Sequence, residues 1–557
     1  MSKSPPRADG TPQAGAITPA WRPQQVEKTP PCQAACPNCG DIRGWIGAVA
    51  QRRLTGLSRK EAYAQAWRKI ADVNPFPATL GRICPHPCES HCNRGVRDEP
   101  LSINAMERFL GDHAIAAGLP LERLEATAPS VSIGVVGAGP SGLSFAYQMA
   151  RRGYPVTIYD ARGRPGGMLR YGVPDYRLPQ PILDAEVARI LDLGVTLHCN
   201  VRLGRDISLA ELRKRHGHVY LAIGAQQGRR LAIPGIDGPG VWTSTDFLGR
   251  VNSGERVDTG ARVVVIGGGN SAVDAARCAR RGGAEVVILY RRTLSEMPAS
   301  AEEVEEAVEE GVEITFLAAP LRIERSADGS LRAVHAQHMQ PGERDASGRR
   351  RPVPAELPPF QVPADCVITA IAQAPVLEGL EELAHSGDWL VTDADGGVGP
   401  GIWVGGDATG PGIAGEAIYQ GRRTAERLHA RLSGARDEGA ADDQVEPEVC
   451  FRDVKFESKP STEATRKARL LGPERVTLGM REVAATITED QFLSEVERCY
   501  SCGLCLGCEQ CFMYCTSGCF TRSDDPAPGA YFDLNLDACR QCGKCIEVCP
   551  CGYLEPA

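Results

Sequence analysis

Apolar residues recur at helical spacing in three stretches between residues 41 and 120, DIRGWIGAVAQRRLTG, SRKEAYAQAWRKIADV and SINAMERFLGDHAIAAG, with little strand signal between them. This predicts a small helical domain over 26–125. From Ser132 to about Arg431 the pattern changes to short β-branched runs alternating with helical segments, the signature of a parallel α/β sheet. Residues 1–25 are rich in Pro, Gly, Ala and polar side chains without periodicity and read as a disordered tail. The polar, acidic stretch SGARDEGAADDQVEPE opens a segment, 436–492, that reads as a linker. Residues 493–557 have few apolar runs and many cysteines, too little to build an apolar core without metal.

With 557 residues the chain must divide into several domains. Its formal charge of −8 gives no pull toward phosphate backbones or anionic lipid, so neither nucleic acid nor a membrane is an expected partner. No apolar run reaches the roughly 20 residues that span a bilayer, and the first residues have no apolar core of a signal, so a cytoplasmic location is expected. Twenty-two cysteines are many for such a compartment unless they hold metal. Six fall between Cys32 and Cys92 and twelve between Cys499 and Cys551, so the cysteines belong to modules at the two ends.

Two dinucleotide fingerprints lie between those modules. In VSIGVVGAGPSGLSFAYQMARRG, Gly137, Gly139, Pro140 and Gly142 follow a strand and open a helix, and Asp160 closes the next strand, PVTIYD. The first two glycines let a pyrophosphate reach backbone amides, the third lets helix and strand pack closely, and the acid can accept from ribose hydroxyls. In RVVVIGGGNSAVDAARCARRGG, Gly267, Gly269 and Asn270 hold the corresponding places with Ala272 at the third position. Tyr290 stands where the acid would be, followed by Arg291 and Arg292, which suits the 2′-phosphate of NADP; alternatively one or both arginines only solvate the strand end. Downstream, ADCVITAIAQAP and GIWVGGDATGPGIAGEAIYQGRRTAERL read as strands and a helix returning to the first domain. The expected layout is a first domain over 128–250, an inserted NADP domain over 251–364, and a return over 365–435. No C-x-x-C follows the first fingerprint, which disfavours thiol exchange.

GIWVGGDATGPG resembles the late FAD motif of flavoproteins with two dinucleotide domains, which implies that Gly406 and Asp407 lie at the flavin. RPGGMLRYGVPDYRLP (with Gly167), YRRTLSEMPAS and NPFPATLGRICPHPCESHC resemble the small subunit of bacterial glutamate synthase and its relatives, from Pro31 to Leu428. Those relatives include the flavin subunit of NADH-dependent ferredoxin:NADP oxidoreductase and the N-terminal half of dihydropyrimidine dehydrogenase. The resemblance implies bound FAD and NADP(H) and [4Fe–4S] clusters in the helical domain, one of them on Cys36, Cys84, Cys88 and Glu107. Glu107 could instead be an ordinary surface glutamate. A second cluster there would need a C-x-x-C pair upstream of Cys32, which this chain lacks; Cys32, Cys39 and Cys92 then either join a remodelled cluster or are free thiols.

Near the C-terminus, Cys505, Cys508, Cys511, Cys515 and Cys539, Cys542, Cys545, Cys549 repeat the bacterial ferredoxin spacing. In that spacing the fourth thiolate of each run crosses over. The sets are then Cys505, Cys508 and Cys511 with Cys549, and Cys539, Cys542 and Cys545 with Cys515, although Cys502 could replace a neighbour and shift the first register. Zinc is the competing reading of C-x-x-C pairs.

The fold class expected is therefore multidomain: an N-terminal α-helical Fe–S domain, a central α/β flavoprotein with an NADP domain inserted in an FAD domain, and a C-terminal α+β ferredoxin-like domain. The expected activity is electron transfer between NAD(P)H and iron–sulfur clusters through FAD, because a nicotinamide gives two electrons together and a cluster takes one. The leading reading is a subunit of a larger complex such as a 2-oxoacid:ferredoxin oxidoreductase, with its catalytic subunits or ferredoxin as partner. A free-standing NADPH:ferredoxin oxidoreductase, a glutamate synthase small subunit and a non-catalytic Fe–S assembly or sensor protein remain as alternatives.

Overall fold

The computed structural model describes residues 21–124, 130–345, 348–434, 437, 448–469, 474–477 and 479–557. The three helical stretches form Ile42–Ala50, Arg59–Val73 and Ile103–Ala116. Ser58 and Glu61 close a capping box at the start of the second, which satisfies amides that a helix N-terminus leaves free. Ile42, Trp45, Ile46, Val49, Ile70 and Met106 bury their apolar faces in one core with Phe492 and Val496, which belong to the far end of the chain.

The central region holds two parallel sheets. The first runs in the order Gly397–Gly399, Ile402–Val404, His218–Leu221, Ile133–Val136, Val156–Asp160, Thr196–Cys199, antiparallel only at its first pair. The second, all parallel, runs Glu313–Phe316, Glu285–Tyr290, Arg262–Ile266, Cys366–Thr369, Val241–Thr243. Because Ile402–Val404 returns beside His218–Leu221, the second sheet is an insertion between two adjacent strands of the first. The crossing points pair with each other, Gln227–Gly228 against Gln373–Ala374. A four-stranded antiparallel sheet of Ala318–Arg325, Leu331–Arg344, Arg350–Pro354 and Phe360–Pro363 extends the inserted part.

The nested boundaries lie elsewhere than the β-branched runs suggest. Cys366–Thr369, assigned by its pattern to the returning segment from residue 365, lies inside the second sheet, and Val241–Thr243, assigned to the segment ending at 250, is that sheet's edge. An apolar run buried on both faces fits either sheet, so periodicity cannot choose.

The two polar segments also pack. Pro23–Gln25, read as part of a tail, pairs antiparallel with Leu554–Pro556, while residues 1–20 lie outside those described. Within 436–492, read as a linker, Val449, Val454 and Ile487 are buried, and Glu482 receives both Arg82 and Arg108 at 2.8 Å. These anchors are single residues spaced without a period, so no periodic signal marks them. The C-terminal part contains a hairpin, Phe520–Ala527 with Ala530–Leu534, and two short helices, Gln510–Tyr514 and Lys544–Val548. Its core is built of Phe520, Tyr531, Phe532 and Leu554 together with cysteines.

Candidate functional site

The first fingerprint turns from Ile133–Val136 into the helix Pro140–Arg151. Gly137 sits there at φ +102°, and a Cβ on it would stand 2.2 Å from the Ala222 carbonyl oxygen. Gly267 repeats the arrangement at φ +149°, with the Ala370 oxygen at 2.2 Å. Both turns therefore admit only glycine. No side chain caps either following helix, whose first amides point outward as an anion-binding end.

One cavity of about 540 Å³ joins these features. Gly137, Gly139, Pro140 and Asp160 line it from the first fingerprint, Gly167 from the motif that follows, Gly406 and Asp407 from the late motif, and Gly269 and Asn270 from the second fingerprint. Gly142 and Ala272 are buried at the helix–strand contacts behind it. The residues fit a dinucleotide flavin. Asp160 is buried at the rim, and burial raises its carboxyl while the Ala138 and Arg162 amides, at 2.6 and 2.7 Å, orient it. Burial pushes the Asp407 carboxyl up to about 6. Gly412 to Gly415, at the start of the helix Ala414–Ser433, also face the cavity, so the positive end of that helix is directed into it.

The two arginines after Tyr290 part company. Arg292 is buried, donating to the Arg350 carbonyl and to Asp345, each at 3.0 Å. Arg291 is exposed. Missed by pattern reading was the pair Arg177 and Asp274, which lies on the cavity wall where the first sheet's segment meets the helix Asn270–Arg281. Arg177 belongs to RYGVPDYRLP, so the motif was visible but its partner was not.

Cys36, Cys84, Cys88 and Glu107 line one small interior cavity of about 50 Å³. Glu107 faces this cavity rather than the outer surface; Asn74 donates to it at 2.8 Å, and burial raises its carboxyl to about 7. Cys84 and Gly415 line both this cavity and the large one. Cys505, Cys508, Cys511 and Cys549 surround a third cavity, with Cys551 beside Cys549 at 3.8 Å. Cys515 is an electrostatic neighbour of Cys545, as is Cys542, and Cys519 is one of Cys539. Cys502 is absent from that third cavity. It lines a separate one with Cys32, Cys92 and Cys499, and Cys39 lines neither of the N-terminal cavities.

Residues 131–421 match the pyridine nucleotide-disulphide oxidoreductase family. The chain belongs to that family. Residues 7–119 match dihydropyrimidine dehydrogenase domain II, described by its 4Fe-4S cluster. The beta subunit of the NADP(+)-dependent formate dehydrogenase of Moorella thermoacetica is 35% identical over 513 residues, covering 85% of this chain and 70% of that one. The NADPH-Fe(3+) oxidoreductase subunit beta of Geobacter sulfurreducens is 33% identical over 530 residues, 87% and 78% of the two chains. The glutamate synthase (NADPH) small chain of Azospirillum brasilense is 34% identical over 435 residues, 72% and 86%. Like other pyridine nucleotide-disulphide oxidoreductases the chain is an oxidoreductase, here carrying a 4Fe-4S domain ahead of its flavin and nucleotide domains. Among the described residues no helix is long and apolar enough to cross a membrane.

Proposed function

We propose that this chain is the electron-transfer subunit of a larger oxidoreductase complex, moving electrons between NADPH and iron–sulfur clusters through FAD. The observation that carries the reading is the single cavity that reaches from one fingerprint to the other and shares Cys84 and Gly415 with the nearest cysteine cavity. Bound FAD supplies the exchange between a two-electron hydride donor and one-electron clusters.

The protein's own part is positioning. The helix end at Ala414 and the amides after Gly139 hold anionic groups, Asp160 accepts from ribose hydroxyls, and Arg291, being exposed, is left free to meet the 2′-phosphate of NADP. Cys36, Cys84, Cys88 and Glu107 would hold the cluster closest to the flavin, and the two ferredoxin-spaced runs would hold two more. Hydride and single-electron transfer ask for no general acid or base, and no such residue is assigned.

The partner is a catalytic subunit, with a 2-oxoacid:ferredoxin oxidoreductase or ferredoxin as the class first expected. The relatives' names place such chains beside several different reactions, as a beta subunit or a small chain, which supports the shared role more than any one substrate. Anaerobic titration with NADPH and, separately, NADH tests the reading. Bleaching of flavin and cluster absorbance at low NADPH, with NADH much weaker, is expected; flavin that stays oxidised under NADPH overturns it. Copurification with large subunits separates the complex from a free-standing NADPH:ferredoxin oxidoreductase.

A further inference from the structure

The fourth cysteine cavity has a donor set that the chain's linear order hides. Cys32 comes from the helix Pro31–Ala34, Cys92 from the turn before Asn93–Val96, and Cys499 and Cys502 from the end of the helix Glu489–Arg498 and the turn after it. They meet around a void of about 30 Å³, walled besides by Ile42, Ile46, Leu101 and Ile103 and by Arg43, Asn93 and Arg94. That is more room than a single water needs. Each thiol is unpaired with another sulfur.

We propose that Cys32, Cys92, Cys499 and Cys502 together ligate a further [4Fe–4S] cluster, whose ligands are supplied half from each end of the chain. The inference rests on the electron-transfer reading given above.

The loop geometry supports it independently of the void. In Cys499-Tyr500-Ser501-Cys502, Ser501 adopts φ +51° and its amide donates to Cys499 Sγ at 3.4 Å. In the ferredoxin-spaced Cys539-Arg540-Gln541-Cys542, Gln541 adopts φ +56° and donates to Cys539 Sγ at 3.4 Å. His86 does the same beside Cys84, at φ +42° and 3.4 Å. A non-glycine residue in the left-handed region costs energy, and here it turns amides toward a sulfur each time. Hydrogen bonds from amides to thiolates are the means by which a protein stabilises a cluster's charge. Asn93 Nδ2 adds a donor to Cys502 Sγ at 3.6 Å, and Lys459 Nζ lies at 2.5 Å from the Cys499 carbonyl. Arg43 Nη1 binds the Cys502 carbonyl at 2.9 Å, closing the cationic surround.

Position gives the site its use. Cys32 and Cys36 lie one helical turn apart in sequence and line adjacent cavities, as do Cys88 and Cys92, and Ile42 and Ile103 form a common wall. On the other side Cys505 follows Cys502 by three residues, and the Gly503 amide donates to the Cys551 carbonyl at 2.6 Å. The order is therefore flavin cavity, Cys36 cavity, Cys32 cavity, Cys505 cavity. A cluster in the third place accepts one electron from a neighbour and releases one to the next, with no net change. Such a cluster would stand between the Cys36 cavity and the Cys505 cavity.

Iron, acid-labile sulfide, zinc and FAD measured on the anaerobically purified full-length protein test this. Four clusters require about sixteen irons and as many sulfides per chain, three require about twelve. In C499S/C502S, and separately in C32S/C92S, about four irons and four sulfides should disappear while FAD content and NADPH bleaching of the flavin persist. Cys39→Ser should leave the count unchanged. A wild-type count near twelve, no loss in either double variant, or about one zinc in place of the missing irons overturns the site. If a double variant also loses FAD, the wild-type count and the spin count of its dithionite-reduced EPR spectrum decide. Failure of NADPH to reduce wild-type flavin would instead strike the functional reading, leaving the metal count to judge the site.

Discussion

Arg177 Nη1 lies 2.8 Å from Asp274 Oδ2, an ion pair of the buried Asp274 with the largely buried Arg177, where the segment following the first fingerprint meets the helix of the second. Tyr176 Oη donates to the same carboxylate at 3.2 Å, and Arg177 Nε reaches Glu303 at 3.0 Å. Arg277 continues the network to Glu303, Glu306 and Glu310. Two domains that must present nucleotide and flavin to each other are thus joined by charges screened from water. Removing one partner of such a buried pair typically costs about 3–5 kcal/mol, because the other charge is left uncompensated. Asp274→Ala should lower the thermal midpoint sharply and loosen the nucleotide domain, which limited proteolysis with and without NADP would show. An unchanged midpoint would mean the pair is not formed.

The glycines of the two fingerprints should fail differently. In Gly137→Ala the new Cβ would stand 2.2 Å from the Ala222 oxygen, so that variant should purify largely without flavin. Gly269 has nothing within 4 Å of its Cβ position, so Gly269→Ala should fold and hold FAD. The methyl would occupy the space a pyrophosphate needs, raising KM for NADPH by roughly tenfold. Flavin absorbance and steady-state kinetics separate the two outcomes.

Arg291 and Arg292 should likewise separate. Arg291 is exposed and Arg292 is held by Asp345 and the Arg350 carbonyl. Arg291→Ala should raise KM for NADPH by about tenfold or more with little change for NADH, since only the 2′-phosphate contact is lost. Arg292→Ala should lower thermal stability instead and affect both nucleotides alike. The reverse pattern would transfer the phosphate contact to Arg292.

Glu186 sets a pH dependence. It is fully buried and accepts from the Ala78 and Thr79 amides at 2.7 and 3.0 Å, and burial pushes its carboxyl up to about 7. A carboxyl raised on folding binds its proton more tightly in the native state. Its contribution is therefore present below about pH 4.5 and is lost as pH rises toward 7. Glu186→Gln cannot ionise, and its one carbonyl oxygen accepts from only one of the two amides, a loss that is the same at every pH. The variant's thermal midpoint relative to wild type should accordingly be higher at pH 7.5 than at pH 5, by the equivalent of up to about 3 kcal/mol. A difference independent of pH would show that Glu186 titrates normally.

Much of this protein is legible in its sequence because the relevant geometry is local. A strand, a glycine turn and a helix N-terminus occupy consecutive residues, so Gly137, Gly139 and Asp160, and Gly269 and Asn270 of the second fingerprint, could be placed on the cavity wall in advance. The two cysteine runs are equally local, since Cys505, Cys508 and Cys511, and Cys539, Cys542 and Cys545, each fall at intervals of three residues. The grouping of Cys36, Cys84, Cys88 and Glu107 came from resemblance, and the structure gathers all four around one void.

The tertiary structure alone decided what depends on distant partners. Nothing in the spacing of Cys499 and Cys502 says that they face Cys32 and Cys92, because packing of Phe492 and Val496 into the N-terminal helices brings the two ends together. Cys366–Thr369 could join either sheet until its neighbours were known, and that Arg292 meets Asp345, more than fifty residues on, is a contact no local pattern records. Periodicity records which face of an element is buried; it does not record against what.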